Sequence, residues 1–421
     1  MHILLIHQYF LEKDDAGGSR FNEMTRIWEA QGHRITVLAG MVHYQTGKKR
    51  EQYKGKYTFI DQHSEGVKVI RCHVSESYNT NFIGRLWGYF SFVFSGIYAG
   101  LFKANEKYDV ILVTSPPLFV GITAYVLSVF KRIPYVFEVR DLWPESAIDT
   151  GVLTNKQVIR LAFWLEGFLY KNARLVNVLT PAFRDKLLTE KQVPAHKLIF
   201  IPNAADFSLS DELLQTFDRE AFRKAHDQHD KVVITYVGAH GVANHLIQVL
   251  ETAERLRDRP EVLFQLIGGG MEKAMLVGEA QKRGLSNVRF VDPVPKAEVF
   301  KYILASDFGA SVLKKVDTFK TVYSNKTFDY MACQRPILMA IDGVSRDLVE
   351  AAGCGRFVEP ENPAHFEQVI RAYLDLPRET WVAQGMSGYW YAKANFDREV
   401  LANRYLTHLI QSPPHAVPDA V

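Results

Sequence analysis

Glycine-containing turns follow three short β-branched segments, and such turns let a backbone approach a phosphate closely. They are Gly17-Gly18, Gly238-Ala239-His240-Gly241 and Gly268-Gly269-Gly270. The first lacks the Gly-x-Gly-x-x-Gly spacing of a dinucleotide site, so a ligand-free loop stays an alternative. The other two lack the Gly-x4-Gly-Lys-Ser/Thr pattern of a P-loop, which disfavours nucleoside triphosphate hydrolysis. On neighbouring strands these two turns would fit a nucleotide diphosphate, although each alone could be a tight turn.

A loop rich in charged residues follows the predicted strand Tyr135–Val139. It presents Arg140, Asp141 and Glu145 close together. In an α/β sheet, loops at the carboxyl ends of the strands lie at the ligand crevice. Asp141 is therefore our candidate acid or base, with Glu145 as the second choice. The alternative is an ion pair between Arg140 and Asp141 that only holds the loop.

The elements that must position these residues form two doubly wound α/β units, because short β-branched runs alternate with longer amphipathic segments. In the first unit we expect strands at Ile3–His7, Ile35–Ala39, Val67–Cys72, Val110–Thr114, Tyr135–Val139, Leu175–Leu179 and Leu198–Ile201. In the second we expect them at Val232–Val237, Leu263–Ile267, Val288–Phe290, Phe308–Leu313 and Pro336–Met339. The predicted domains cover residues 1–205 and 206–385, followed by terminal helices over 386–411 and a flexible tail over 412–421.

Composition excludes several other classes of protein. The 421 residues are 47% hydrophobic and carry a formal charge of only +3, which disfavours a disordered chain and a nucleic-acid partner. The three cysteines are widely spaced, so neither a disulfide framework nor a zinc site is expected. The start reads as a buried strand and not as a signal peptide. We expect a cytoplasmic protein.

An aromatic segment, Leu86–Phe102, carries no formal charge and includes seven aromatic residues. At about 1.5 Å per residue it falls short of a hydrocarbon core of about 30 Å, and its glycines weaken a helix. We predict that most of its rings pack in the domain core; the alternative is an aromatic face on the membrane surface. The basic run Lys48-Lys49-Arg50 and the aromatic-basic segment 160–171 add to that alternative, which predicts peripheral attachment to the inner face of the cytoplasmic membrane.

One segment is family-specific. Ser324–Leu338 resembles the Ser-Lys-x-x-Glu-Tyr-Met-Ala-x-Gly-x-Pro signature of GT-B glycosyltransferases of family 4, particularly bacterial members that build surface polysaccharides. Softer matches follow the expected order at Gly17-Gly18, Gly32-His33, Ser115-Pro116-Pro117, Asp141-Leu142-Trp143-Pro144, Ile201-Pro202-Asn203, Gly268-Gly269-Gly270 and Asn287-Val288-Arg289-Phe290. The resemblance implies a GT-B fold, in which two facing doubly wound domains bind donor and acceptor and terminal helices return to the first.

In this family a nucleotide sugar is held mainly by the second domain. Lys326 at a helix start can neutralise the diphosphate, and Asp329, three residues further on the same face, can accept hydrogen bonds from ribose hydroxyls. The alternatives are a solvated cation and an exposed acid. The family's usual Glu-x7-Glu pair would put its first acid at Thr321, which carries no charge. It stays open which residue holds the hydroxyls of the donor sugar.

The predicted donor-binding residues are Gly17, Gly18, Gly238, Gly241, Gly268, Gly269, Gly270, Lys326, Asp329, Gly343, Val344 and Ser345. The predicted acceptor-binding residues are Ser115, Pro116, Arg140, Trp143 and Glu145, and the predicted catalytic residues are Asp141 and Lys326. We expect no cofactor and no metal, because no Asp-x-Asp motif and no His/Cys cluster occurs. The plain alternative for the turn at Gly343 is an ordinary helix cap.

The predicted reaction moves a hexose-type unit from a nucleotide diphosphate, UDP by preference, to a hydroxyl of a saccharide that is free or polyprenyl-linked. Retention of anomeric configuration is what family 4 implies. The partners are thus a nucleotide sugar, a saccharide or lipid-linked saccharide acceptor, and a membrane surface. Two alternatives stay open: a sugar-nucleotide epimerase of the same architecture, and a catalytically silent, membrane-associated binding protein.

Overall fold

The computed structural model describes residues 1–12, 15, 20–43, 47–79, 82–149, 151 and 153–411. The predicted turn Gly17-Gly18 and the predicted tail 412–421 lie outside these residues. The chain divides into two compact units. The first unit ends at Pro202 and takes up the chain again at Leu401, and the second is Asn203–Val400.

The first unit is built on an eight-stranded sheet with helices between the strands. Its strands are β1 (His2–Ile6), β2 (Arg34–Gly40), β3 (Thr58–Gln62), β4 (Val67–Cys72), β5 (Val110–Thr114), β6 (Tyr135–Val139), β7 (Leu175–Val178) and β8 (Leu198–Phe200). Its helices are α1 (Arg20–Ala30), α2 (Phe82–Phe102), α3 (Val120–Lys131), α4 (Glu145–Asp149), α5 (Lys156–Asn172) and α6 (Pro181–Thr189). The strand order is β3-β4-β2-β1-β5-β6-β7-β8.

Strand β1 lies at the centre of this sheet. All five of its residues are buried, as expected for a strand that helices cover on both faces. Ile3 pairs in parallel register with Ile35 of β2 and with Val110 of β5. The chain leaves β1 toward β2 and returns on the other side at β5. The carboxyl ends of β1 and β5 therefore form a topological switch point, where open α/β sheets hold their ligands.

The second unit repeats this plan with six parallel strands in the order β11-β10-β9-β12-β13-β14. Its strands are β9 (Val232–Val237), β10 (Val262–Ile267), β11 (Val288–Val291), β12 (Phe308–Val312), β13 (Ile337–Ala340) and β14 (Gly355–Phe357). Its helices are α7 (Phe207–Thr216), α8 (Arg219–Ala225), α9 (Ile247–Arg255), α10 (Lys273–Lys282), α11 (Lys296–Ala305), α12 (Asn325–Ala332), α13 (Val344–Ala351), α14 (Pro363–Leu374) and α15 (Arg378–Asn395). Its switch point lies between β9 and β12.

The predicted boundary between the second domain and the terminal helices lies at residue 386, but the second unit extends to Val400. Helix α15 belongs to the second unit and packs against α12. Gly385 allows close approach to the segment after α12, since an added Cβ would lie 2.1 Å from the Gln334 oxygen. Gly388 allows close approach to the segment before β14, since an added Cβ would lie 2.7 Å from the Cys354 Cβ. Only the last helix, α16 (Arg398–Gln411), passes from the second unit into the first, at Leu401.

Helix α2 corrects the prediction for the aromatic segment. Phe92 is buried, but Trp87, Phe94, Tyr98 and Phe102 are exposed by 54%, 55%, 38% and 61%. The prediction that most of these rings are core is therefore wrong. The helix packs one stripe against the sheet and α3, and the exposed rings lie on its other stripe.

Among the described helices, none combines the length and the apolar character needed to cross a bilayer.

Candidate functional site

The second unit has two glycine turns, here called the first glycine turn (residues 238–241) and the second glycine turn (residues 268–270). They lie against each other at the ends of neighbouring strands. Strands β9 and β10 pair in parallel, and the N–H group of His240 donates to the Gly269 oxygen at 2.8 Å. Gly268 and Gly270 have φ angles of 142° and 153°. A Cβ on Gly268 would lie 1.9 Å from the Gly238 oxygen. Only glycine fits these positions, and the result is a floor of backbone at the switch point.

Lys326 reaches this floor from α12, the helix that follows β12. Its Nζ lies 4.9 Å from the centroid of the Tyr236 ring and donates to the Ser324 hydroxyl at 3.2 Å. A Cβ on Gly238 would lie 3.2 Å from the Lys326 Cε. Burial lowers the pKa of the ammonium to about 8, a shift that the charge of Asp329 opposes. A cation thus lies beside the first glycine turn.

Tyr330 holds the helix that carries this cation. Its hydroxyl accepts from the Val237 N–H at 3.0 Å and donates to the Ala310 oxygen at 3.1 Å, so it joins α12 to both β9 and β12. The ring fills the place of a missing side chain, because a Cβ on Gly309 would lie 2.3 Å from the Tyr330 Cγ. Sequence reasoning missed this anchor. The only signal was the tyrosine of the motif itself.

The other predicted donor residues of the second unit lie on α12, at the start of α13 and in the first glycine turn. Asp329 is half-buried on α12. Gly343 has a φ of 73° and caps α13, with Val344 and Ser345 in its first turn. The hydroxyl of Ser345 is buried; it donates to the Val322 oxygen at 2.8 Å and accepts from the Ser324 N–H at 3.4 Å. Gly241 is the last residue of the first glycine turn, and its oxygen accepts from the Asn244 N–H at 2.9 Å.

His240, inside the first glycine turn, was not among the predicted site residues. Its side chain is fully buried, and neither ring nitrogen has a hydrogen-bond partner among the described residues. Burial lowers the pKa of the imidazole to about 4, with a further contribution from Lys273. The ring is therefore neutral near pH 7. The histidine was visible in the sequence of the turn, but the turn was interpreted only through its glycines.

Asp141 lies half-buried in the first unit, directly after β6. Its Oδ2 accepts a hydrogen bond of 2.8 Å from the Ser146 hydroxyl. Burial raises the pKa of the carboxyl group; the Ser146 hydrogen bond opposes this shift and the charge of Glu145 adds to it. A carboxyl group that accepts a proton more readily than usual is suited to acid–base chemistry.

Two predicted acceptor residues, Glu145 and Ser115, bind other side chains or backbone of the first unit. Glu145 forms ion pairs with Lys191 at 2.6 Å and with Lys186 at 3.7 Å. The hydroxyl of Ser115 is buried and donates to the Glu138 oxygen at 3.2 Å. These partners fix the two side chains, which weakens the case for Glu145 as a substitute for Asp141.

The remaining predicted acceptor residues lie near the same strand ends. Trp143 is half-buried with its ring centroid 5.3 Å from that of Phe119, Arg140 is half-buried, and Pro116 is exposed.

A buried acid, Glu138, organises the ends of β5 to β8 and was also missed. It accepts hydrogen bonds from Arg20 at 3.2 Å, Asn177 at 2.9 Å and Thr114 at 3.3 Å. Arg20 Nη2 donates in addition to the Ile201 oxygen at 2.7 Å. Removal of one partner of such a buried ion pair typically costs about 3–5 kcal/mol, because the other charge is left buried and unpaired. Glu138 thus fixes the strand that precedes Asp141.

Comparison with protein families covers both units. Residues 16–204 match the family described as "Glycosyl transferase 4-like domain", and residues 218–386 match "Glycosyl transferases group 1". The chain belongs to the GT-B glycosyltransferases of family 4. The two glycine turns and Lys326 of this glycosyltransferase lie in the second matched region, and Asp141 lies in the first.

Individual proteins are similar to this chain in sequence or in fold. The chain is 26% identical over 401 residues to WcaI of Escherichia coli K12, named as a colanic acid biosynthesis glycosyl transferase; the match covers 93% of this chain and 95% of WcaI. A sucrose-phosphate synthase from Thermosynechococcus elongatus is 16% identical with a TM-score of 0.70, covering 97% of this chain and 98% of that one. HepE from Anabaena, solved with UDP-glucose, is 17% identical with a TM-score of 0.68, covering 97% and 99%. The predicted fold of two Rossmann-like domains is confirmed.

Proposed function

We propose that this glycosyltransferase moves a hexose-type unit from a UDP-sugar to a saccharide hydroxyl during the synthesis of a bacterial surface polysaccharide. The bond between the anomeric carbon and the diphosphate oxygen breaks, and UDP leaves with the bonding electrons. A bond forms between the same carbon and the acceptor oxygen, whose proton passes to a base. We assign donor binding to the second unit and acceptor binding to the first.

The observation that carries the proposal is the meeting of two glycine turns with one lysine at the switch point of the second unit. The turns offer backbone that a diphosphate can approach, and Lys326 offers a cation within the same region. Support from the comparisons is that HepE has been solved both with UDP and with UDP-glucose. Asp329, on the same helix as Lys326, is our candidate for the ribose hydroxyls.

Charge on the departing diphosphate is met, in this proposal, by Lys326 and by backbone N–H groups, so that no metal ion is required. Asp141 acts on the acceptor side as the base that takes the hydroxyl proton, and its raised pKa suits that role. Retention at the anomeric carbon is the outcome that family 4 implies. The name of WcaI supports the assignment to polysaccharide synthesis.

A membrane-linked acceptor is the further part of this proposal, and the first unit offers a surface for it. Helix α3 packs against both α2 and α5. Helix α5 exposes Leu161 and Trp164, each by 61%. Lys156 and Arg160 border a concave surface with the same two residues. We propose that this aromatic and basic face rests on anionic headgroups.

The basic run Lys48-Lys49-Arg50 was the other candidate for membrane binding, but two of its side chains contact other residues of the first unit. Arg50 forms ion pairs with Glu12 at 3.1 Å and with Asp15. The ammonium of Lys49 lies 3.0 Å from the His73 Nδ1. Cosedimentation with anionic liposomes therefore tests Trp164→Ser against Lys49→Ser. We expect loss of binding only in the first variant, and an unbound wild type would leave the exposed rings without a membrane role.

Calorimetry with UDP tests the donor site. We expect UDP to bind, and Lys326→Ala to weaken it by about 10–100-fold, the range of a charge-assisted hydrogen bond. Lys282→Ala, on the exposed surface of α10, serves as the matched control and should bind UDP as the wild type does. Equal affinity in both variants would remove Lys326 from the donor site.

A further inference from the structure

A cavity of about 360 Å³ opens in the second unit beside the candidate donor site. It lies at the carboxyl ends of β12, β13 and β14. Its lining includes Lys314, which follows β12, Ile341, which follows β13, and Phe357, the last residue of β14. This volume is at the lower end of the range of about 300–1,000 Å³ for small-molecule sites, which suits one sugar ring.

The walls of the cavity combine flat apolar surfaces with cations. Phe319 and Phe357 supply the rings, and the guanidinium of Arg346 lies 4.3 Å from the Phe357 centroid. Sugar rings present C–H faces that pack on aromatic side chains, while their polar substituents need charged or hydrogen-bonding partners.

Positive charge predominates in the lining. Lys314, Lys315, Lys320 and Arg346 face two acids, Asp342 and Glu359. Glu359 forms an ion pair with Lys315 at 2.8 Å, and Asp342 forms one with Arg346 at 3.7 Å.

Lys320 pairs with Asp317, which is 91% exposed at its side chain, so water weakens that pair. Within the described residues, the ammonium of Lys314 has no hydrogen-bond or ion-pair partner.

The loop that carries these lysines touches both parts of the candidate donor site. The Lys314 N–H donates to the Ala243 oxygen at 2.9 Å, just beyond the first glycine turn. At its other end, a Cβ on Gly343 would lie 2.2 Å from the Lys320 oxygen. The loop that lines the cavity thus contacts both the segment after the first glycine turn and the turn at Gly343.

We propose that this cavity receives the glycosyl group of a donor whose sugar bears a carboxylate, so that the substrate is a UDP-linked uronic acid. This inference rests on the proposed function of the second unit. Lys314 supplies the unpaired cation for the carboxylate, Lys320 reinforces it, and Phe319 and Phe357 take the ring faces.

Calorimetry with UDP, UDP-glucose and UDP-glucuronic acid tests the inference on the full chain. We expect UDP-glucuronic acid to bind about tenfold more tightly than UDP-glucose. In Lys314→Gln, and further in Lys314→Gln combined with Lys320→Gln, that ratio should fall toward one while the affinity for UDP stays unchanged. Lys282→Gln is the control, and the unchanged UDP affinity shows that each variant is folded.

The outcomes separate the inference from the proposal on which it rests. If UDP binds but UDP-glucuronic acid binds no more tightly than UDP-glucose, the inference is overturned and the proposed function stands. If the preference persists in the doubly substituted variant, the cavity lysines are not its cause and the inference is again overturned. If none of the three ligands binds, both the inference and the proposed function are overturned.

Discussion

The hydroxyl of Tyr330 accepts the backbone N–H of Val237, the last residue of β9, at 3.0 Å. The next residue is Gly238, against which Lys326 packs from the same helix as Tyr330. One phenol thus links the strand that ends in the first glycine turn to the helix that brings the cation. The distance between cation and turn depends on an interaction outside the site itself.

Removal of this hydroxyl tests that dependence. Tyr330→Phe leaves the Val237 N–H without its partner, which we expect to cost about 1–3 kcal/mol of unfolding free energy. The affinity for UDP should fall as well, because Lys326 loses its fixed position. Tyr302→Phe is the control for urea denaturation and calorimetry, because the Tyr302 hydroxyl makes only a 3.4 Å contact with His226 in the part of the chain that the structure describes. A loss of stability with unchanged UDP affinity would limit Tyr330 to a structural role.

The affinity for UDP should depend on pH through Lys326. Burial lowers the pKa of its ammonium to about 8 in the free protein, and only the protonated form attracts a diphosphate. Between pH 7 and pH 9 the protonated fraction falls about tenfold, so the affinity should fall by up to the same factor.

Lys326→Arg provides the matched comparison for this pH dependence. Arginine stays protonated over the whole range, so the variant should show a flat profile by calorimetry. A wild-type profile that is equally flat would contradict the assignment.

Much of the fold follows from apolar patterning, but two strands do not. Strands such as β5 and β6 are continuous buried runs, which apolar patterning identifies directly. The predictions miss β3, an antiparallel edge strand with mixed exposure, and β14, which has only three residues. Edge strands and very short strands bury too little apolar surface to stand out in a sequence.

The candidate site divides in a similar way. Glycines and Lys326 are recognisable because backbone freedom and charge are properties of the residues themselves. The contribution of Tyr330 depends on a space above Gly309, 21 positions earlier in the chain, and that of Glu138 on partners from three other segments. Contacts of this kind arise from folding, so local sequence carries no sign of them.

The aspartate of the first unit is tested by Asp141→Asn. The amide oxygen can still accept from Ser146 but cannot take a proton, so transfer should fall by about 10²–10⁴-fold. UDP affinity and melting temperature should stay close to those of the wild type. Asp185→Asn, at an exposed position of α6, is the control. Transfer is measured as UDP released in the presence of acceptor lipids, and normal release by Asp141→Asn would return this acid to a structural role.

Stability should decrease in acid because of His240. Its pKa is lowered to about 4 in the folded chain, whereas the unfolded chain takes up the proton near pH 6.5. Between these values the unfolded state binds more protons, so the free energy of unfolding falls as the pH is lowered, by at most about 3 kcal/mol. Full stability is present above pH 6.5.

Replacement of this histidine separates its contribution from those of other groups. His240→Leu removes the titrating ring and keeps an apolar side chain between the turns. Guanidinium denaturation at several pH values between 4.5 and 7.5 should give a smaller slope for this variant than for the wild type. Identical slopes would assign the acid sensitivity to other residues, among them His7, whose pKa burial also lowers.

The last helix gives the first unit an unusual order of construction. Trp28 donates its indole N–H to the Ala402 oxygen at 2.9 Å, and its ring lies edge-on to Tyr405 at 6.1 Å. During synthesis the ribosome therefore delivers most of this unit first, then residues 203–400 of the other unit, and only after them the segment that contacts Trp28. The apolar surface around Trp28 stays unfinished in a nascent chain until that segment has been made, and a message truncated after codon 400 yields a protein whose defect lies in the half that was translated first.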